Sequence, residues 1–449
     1  MKKMLVMMMI LSLAGAGMAV AAEDGGIEIG LDYRFRIDSL KGTVHDYIQA
    51  DGTPAGDATP GYTVKNDTIF MNRFGINLKT IPLENVSMKA RFVMYKVAGH
   101  QSADPALGMF FADRYGATND GTVSHVPEDS VLRADYAYAT VSNIMDQPLW
   151  FSVGRRPSTG GIPSNIRQNS EKMGTAGIPS LMVNYAFDGM TVGYAPDIEA
   201  LPGAYTKLCY GRGFDSGFQV KGAATPKDTD FYGLNAALYD TEKLHVEVQY
   251  QIGMNIFDAP SDAGVSANLG DISWIGAVVT GKVANLNLFA TAATSKTNAN
   301  GNASGMGPGL LNDMPSTENH TGYAAYVGGR YDIASTGTKI GAEYNHGSKN
   351  WISMVPAEDD IWTGKLGTRG DVYEVYIIQS LNRKAIAPKG EAFVRLGYQL
   401  YKIDYTNSNN WVGGSHKISD LNLTNTMLQQ GLAPVEKAQD IYLTFDVRF

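Results

Sequence analysis

Apolar and polar residues alternate with a period of two in segment after segment of this chain. The closing stretch "DIYLTFDVRF" sets Ile441, Leu443, Phe445, Val447 and Phe449 against Tyr442, Thr444, Asp446 and Arg448. Near the other end, "GIEIGLDYRFRIDS" sets Ile27, Ile29, Leu31, Tyr33, Phe35 and Ile37 against Glu28, Asp32, Arg34, Arg36 and Asp38. Six consecutive matches to a period of two describe a strand, not a helix. The charged face of such a strand needs water, and a terminal strand rich in large apolar groups needs a paired edge. About ten residues tilted by roughly 45° cross a bilayer's hydrocarbon core, so closure into a membrane barrel satisfies both demands.

Alternating segments fall at 27–38, 68–80, 86–97, 131–142, 149–154, 181–187, 190–196, 229–239, 243–254, 272–280, 284–295, 321–333, 338–346, 371–381, 390–405 and 440–449. Their connections alternate in length. Short turns are predicted at 80–85, 143–148, 188–189, 240–242, 281–283, 334–338 and 382–389, and long polar loops at 39–67, 98–130, 155–180, 197–228, 255–271, 296–320, 347–370 and 406–439. A soluble sandwich has no reason to sort its loops this way, and long structureless loops are uncommon in one. The pattern predicts an all-β fold: a transmembrane antiparallel up-and-down β-barrel with short periplasmic turns and long extracellular loops. Sixteen strands are expected; an extra hairpin formed by "TKLCYGRGF" and "SGFQVKG" within 197–228 would make eighteen. Sixteen strands leave an aqueous lumen that eight would fill with side chains.

The first residues read "MKKMLVMMMILSLAGAGMAVAAEDGG": two lysines, an apolar run and small residues before a cut. This is a secretory signal peptide over 1–22, leaving 23–449 as the barrel. Without Lys2 and Lys3, 35 basic residues face 45 acidic ones, a net charge of −10. That balance argues against nucleic-acid binding. Cys209 is the single cysteine, so there is no internal disulfide and no covalent haem attachment. Fifty glycines, 24 tyrosines and a charged fraction of 18% suit strands and turns better than helices.

Two stretches, "VGRRPSTGGIPSNIR" (153–167) and "YVGGRYDIASTGTKIGAEYNHGSKNW" (326–351), resemble an outer-membrane β-barrel family of Gram-negative bacteria whose members are largely of unknown function and are treated as porins. The resemblance implies a barrel with solute passage but supplies no substrate. Some members of that family carry a coiled coil before the barrel, a feature this chain lacks. It also implies that Ile441, Leu443, Phe445, Val447 and Phe449 form the C-terminal signal read by the barrel assembly machinery.

The third long loop carries Arg155, Arg156, Arg167 and Lys172 against one acid, Glu171. Folded inward, it would make a basic constriction that favours anions; left at the surface, its arginines would meet lipopolysaccharide phosphates. A basic wall is expected from Arg34, Arg36, Arg73, Lys89, Arg91 and Arg133, facing His245, Glu247, Gln249, Asn285 and Asn287. Such a wall sets a transverse field across the lumen, unless Glu28, Asp32, Asp38 and Asp135 pair with it. Glu358, Asp359 and Asp360 lack the ligand spacing of a calcium loop and read as a solvated turn. No metal or cofactor is expected, and no nucleophile elbow points to an enzyme. Tyr95, Tyr138, Trp150, Trp274, Trp351 and Tyr401 are expected in the interfacial girdles. The expected function is passive diffusion of small hydrophilic solutes through an outer-membrane channel, homotrimeric by analogy with other sixteen-stranded porins. The alternative is a barrel that sheathes a partner such as an electron-transfer cytochrome, or a surface adhesin.

Overall fold

The computed structural model describes residues 26–99, 126–127, 129–157, 161–171, 181–218, 226–258, 265–305, 307–355, 357–381, 384–387 and 389–449. The expected signal peptide lies outside them. The first strand, β1 (Ile27–Val44), is followed by a small two-stranded sheet of β2 (Tyr47–Gln49) and β3 (Asp57–Thr59) in the first long loop. Then come β4 (Tyr62–Leu83), β5 (Val86–Val97), β6 (Arg133–Val141), β7 (Leu149–Pro157), β8 (Ala186–Tyr194), β9 (Tyr205–Phe214), β10 (Thr229–Asp240) and β11 (Leu244–Phe257). The second half comprises β12 (Asn268–Val283), β13 (Leu286–Ala299), β14 (Thr321–Ile333), β15 (Thr338–Gly347), β16 (Gly370–Ser380), β17 (Glu391–Ile403) and β18 (Val435–Arg448). All but β2 and β3 form one closed antiparallel barrel of sixteen strands, each paired to its sequence neighbour, with β18 closing on β1. At the seam, Leu31 and Phe449 exchange backbone hydrogen bonds of 3.0 Å in both directions. The terminal aromatic therefore belongs to the closing strand.

The two faces of each strand meet different surroundings, as the alternation requires. On β18, Ile441, Leu443 and Phe445 are 53%, 41% and 41% exposed on the outside, whereas Asp440, Tyr442, Thr444 and Asp446 are buried inside. An exposed apolar exterior around a polar interior inverts the order of a soluble barrel.

The strand count agrees with the sequence, but one pair of strands does not. Residues 181–187 and 190–196 were expected to flank a turn at Asp188-Gly189; instead Ala186–Tyr194 is the single strand β8, and the unassigned "TKLCYGRGF" lies in β9. Asp-Gly is a hairpin signal, yet Gly189 serves a different purpose. A Cβ there would lie 2.0 Å from the Tyr210 carbonyl oxygen, so glycine is needed for close strand approach. One expected strand too many at β8 cancels one missed at β9.

Inside the barrel, Tyr442 lies flat over its cross-strand partner Gly397, where a Cβ would come within 2.2 Å of the ring. Its hydroxyl donates to Glu374 Oε1 at 2.6 Å. Gly397→Ala is expected to displace the ring and break that bond, costing about 1–3 kcal/mol for overpacking. The check is the urea midpoint of the folded barrel, and an unchanged midpoint would refute the packing argument.

The lumen is occupied by the chain's own long-loop segments. Met182 and Val183 from the third long loop, Trp351, Ile352 and Met354 from the seventh, and Trp411 from the eighth pack with Phe257, Ile272 and Trp274 of the wall into one buried apolar cluster. Each tryptophan is anchored through its indole: Trp274 to the Ile352 carbonyl at 2.9 Å, Trp351 to Leu366 at 2.8 Å and Trp411 to Phe257 at 2.8 Å. The girdle expectation is thereby corrected: Tyr95, Tyr138, Trp150, Trp274, Trp351 and Tyr401 are all 9% exposed or less. Inward loops gave Tyr95, Trp274, Trp351 and Tyr401 protein to pack against, while Tyr138 and Trp150 pack beside Arg156 on the wall. The exposed aromatics on the outside include Tyr194, Tyr331 and Phe449 toward the short turns and Tyr232, Tyr323 and Tyr373 toward the long loops.

Candidate functional site

Every second residue of β1, β4 and β17 faces the lumen, and the sequence places Arg34, Arg36, Arg73 and Arg395 on that face. The seventh long loop, 348–369, bends into the barrel and delivers Asp359 among them. Asp359 Oδ2 accepts from Arg34 at 2.5 Å and from Arg395 at 2.9 Å, while Oδ1 lies 3.7 Å from Arg73 and 4.0 Å from Arg36. Burial by itself raises a carboxyl pKa; here the four guanidinium groups outweigh it and hold Asp359 well below the usual carboxylate range. Arg34 and Arg36 are further balanced by Asp446, Asp38 and Asp440 at 2.5–3.1 Å.

The adjacent Asp360 belongs to a second cluster. Arg167, from the third long loop, bridges Asp360 and the β16 residue Glu374, both at 2.9 Å. Lys365 places its ammonium 2.5 Å from Glu343 and 2.6 Å from Glu374. These carboxylates raise the Lys365 pKa, and that of Arg167 well above its ordinary value, against the opposing effect of burial. The two loops also meet directly: Gln168 donates to Glu358 at 2.9 Å, and the Met354 and Asn184 amides pair with Met182 and Met354 carbonyls at 2.8 Å. Wall arginines hold the third loop by its backbone, Arg330 donating to the Ile166 carbonyl and Arg395 to that of Arg167. The result is a two-loop plug pinned to one side of the lumen by charge.

Residues 63–449 match a family described as a protein of unknown function, DUF3373. The chain belongs to that family. No curated protein matches it. Among solved structures, the DUF3373 barrel is similar to Salmonella typhi OmpF in complex with daunomycin, at 9% identity and a TM-score of 0.47 over 96% of this chain and 100% of that one. It is also similar to the in-vitro folded outer-membrane protein OmpT of Vibrio cholerae, at 12% identity and a TM-score of 0.46 over 96% and 99%. A third similar structure is an anion-selective porin from Comamonas acidovorans, at 9% identity and a TM-score of 0.45 over 95% and 100%.

The residues expected to form a constriction occupy separate places in the DUF3373 barrel. Arg167 lies in the plug. Arg155 faces outward on β7, 3.5 Å from Asp188 on β8, because β7 runs on to Pro157 and its alternation sends neighbouring side chains to opposite faces. Arg156 therefore points inward, beside the Tyr138 and Trp150 rings. Lys172 lies outside the described residues. Of the expected wall, Arg34, Arg36 and Arg73 gather on Asp359, Arg91 pairs with Asp32 at 2.5 Å and Asp135 at 3.3 Å, and Arg133 pairs with Asp129 at 2.9 Å. Lys89 is half-buried with no ion pair among the described residues. The acidic turn is corrected: Asp359 and Asp360 are 1% and 4% exposed, buried in the lumen and not solvated. Sequence reasoning missed Asp359, Asp360 and Lys365 as lumen residues. The available signal was charge complementarity, two adjacent acids in a long loop of a chain whose inward strand faces carry arginine.

Proposed function

We propose that this chain is a porin-like channel of the bacterial outer membrane that passes small hydrophilic solutes by diffusion and prefers anions. The observation that supports it most is the closed sixteen-strand barrel with an apolar exterior and a charged interior, large enough by strand number for an aqueous path. The inward loops supply the constriction and occupy the space that a sheathed partner would need, which favours a channel over a sheath. Ile441, Leu443, Phe445 and Phe449 face outward at the closing seam, as a strand presented to an assembly machinery would require.

The basic wall needs a sharper reading than its composition suggests. Arg34, Arg36 and Arg73 are shared with buried carboxylates, so they hold the plug and contribute little net field. Anion preference on this reading comes from cations without a carboxylate partner among the described residues, Lys89 and Arg156 being two of them. The test is single-channel recording of the purified mature chain in a planar bilayer under a salt gradient. Stable steps with an anion-selective reversal potential are expected, and Lys89→Gln should move that potential toward zero. A folded barrel that never conducts would refute the channel.

A further inference from the structure

The side of the lumen opposite the Asp359 latch carries a recess lined by β7, β8, β9, β10 and β11. It opens to the lumen and is lined by Arg156, Thr191, Lys207, Cys209 and Gln251 together with Pro157, Val183, Phe187 and Phe231. No carboxylate lines it among the described residues. The Arg156 guanidinium lies 5.3 Å from the Tyr138 ring centre and 5.5 Å from that of Trp150. Its Nε is buried without a hydrogen-bond partner, and no acidic group comes within ion-pair distance of it among the described residues. Elsewhere in this lumen arginine after arginine has been given a carboxylate. Arg369 has backbone carbonyls instead, those of Trp351, Thr406 and Asn410; Arg156 has neither kind of partner among the described residues.

Arg156 is half-buried, and the enclosed part of a guanidinium is costly unless an anion or another acceptor meets it. The two aromatic rings recover part of that cost, and they also orient the planar group. We propose that the recess is a binding site for a small organic monocarboxylate with an aromatic or branched apolar body. The carboxylate would receive the Arg156 fork, the arrangement that suits a planar oxyanion best. Lys207, also buried in the recess wall, adds positive potential. Phe187, Phe231, Val183 and Pro157 would cover the apolar body, in the usual proportion of mostly apolar lining with a few placed polar groups. A bare inorganic anion would leave that surface uncovered. As the solute site of the proposed channel, this assignment rests on the porin-like reading for its physiological role, though binding can be measured without conductance.

Benzoate is the probe, with benzamide as its neutral isostere and acetate and sulfate as anions lacking the apolar body. Equilibrium dialysis of radiolabelled benzoate against the purified full chain should show one saturable site, competed by neither benzamide nor acetate nor sulfate at equal concentration. Cys209 locates the site, because it lies in the recess wall and is the single cysteine of the chain. With a dissociation constant on the order of 1 mM, benzoate at roughly 10 mM would slow Cys209 labelling by a small thiol reagent about tenfold. Arg156→Gln should abolish both binding and protection; Arg156→Lys, which keeps the charge and loses the fork, should weaken them. Absence of saturable benzoate binding, equal competition by benzamide, or undiminished binding in Arg156→Gln would each overturn the assignment. Should Arg156→Gln fail to fold, the benzoate and benzamide comparison on the native chain decides alone. A barrel that conducts without binding benzoate refutes the site; one that binds benzoate without conducting refutes the channel.

Discussion

Replacing Asp359 with asparagine is expected to release the seventh loop from the barrel wall and to enlarge the single-channel conductance. The change keeps the size of the side chain and removes the one charge that Arg34, Arg36, Arg73 and Arg395 share. Three buried guanidinium groups and the half-buried one of Arg73 would then face a neutral amide, two of whose hydrogens point at donors. Removing one partner of a buried ionic cluster costs about 3–5 kcal/mol, seen as a lower urea midpoint, and water entering to solvate the arginines would displace the loop. The pH dependence has a definite sign. The folded-state pKa of Asp359 is depressed below its ordinary 3.8, so its contribution is fully present above that value and is lost as pH falls through the lower folded value. The native barrel should accordingly hold the same conductance from pH 7 to pH 5. If Asp359→Asn conducts as the native chain does and unfolds at the same urea concentration, the Asp359 latch is not what holds the loop.

Arg167→Glu should act on the other half of the plug, and more severely. Arg167 stands between Asp360 and Glu374, with Glu343 in the same cluster through Lys365. A carboxylate at position 167 would leave Lys365 as the one cation of that cluster among four acids. Like charges at such distances in a region shielded from water repel by several kcal/mol, and the third loop would lose its ionic contact with Asp360 of the seventh and with Glu374 of the wall. A loss of at least about 3–5 kcal/mol is expected, with ion selectivity shifted toward cations. The milder pair Arg167→Gln and Glu374→Gln separates repulsion from general damage. Because the two groups touch, the double variant should be less destabilised than the sum of the singles, by about 0.5–3 kcal/mol. Additive costs would mean that the 2.9 Å contact contributes nothing.

The barrel itself was legible in the alternation of residues such as Ile441 to Phe449 and Ile27 to Ile37, because a strand between two different surroundings must write a period of two into its sequence. The inward assignments of Arg34, Arg36, Arg73, Arg91, Glu343 and Arg395 follow from the same parity. Asp188-Gly189 marks where local reasoning failed: a turn and a close strand approach call for the same residue, and only the neighbouring backbone at Tyr210 tells them apart. The loops carry no comparable period. Nothing in "PAEDDIW" distinguishes a solvated turn from a plug, since the partners of Asp359 lie 325 positions away at Arg34 and 36 away at Arg395. Short-range pattern therefore determined the barrel, its faces and its wall charges. Which charges meet, which rings turn inward and which guanidinium is left over were decided by where the loops fold, because long-range ion pairs depend on three-dimensional proximity that a chain's local order does not encode.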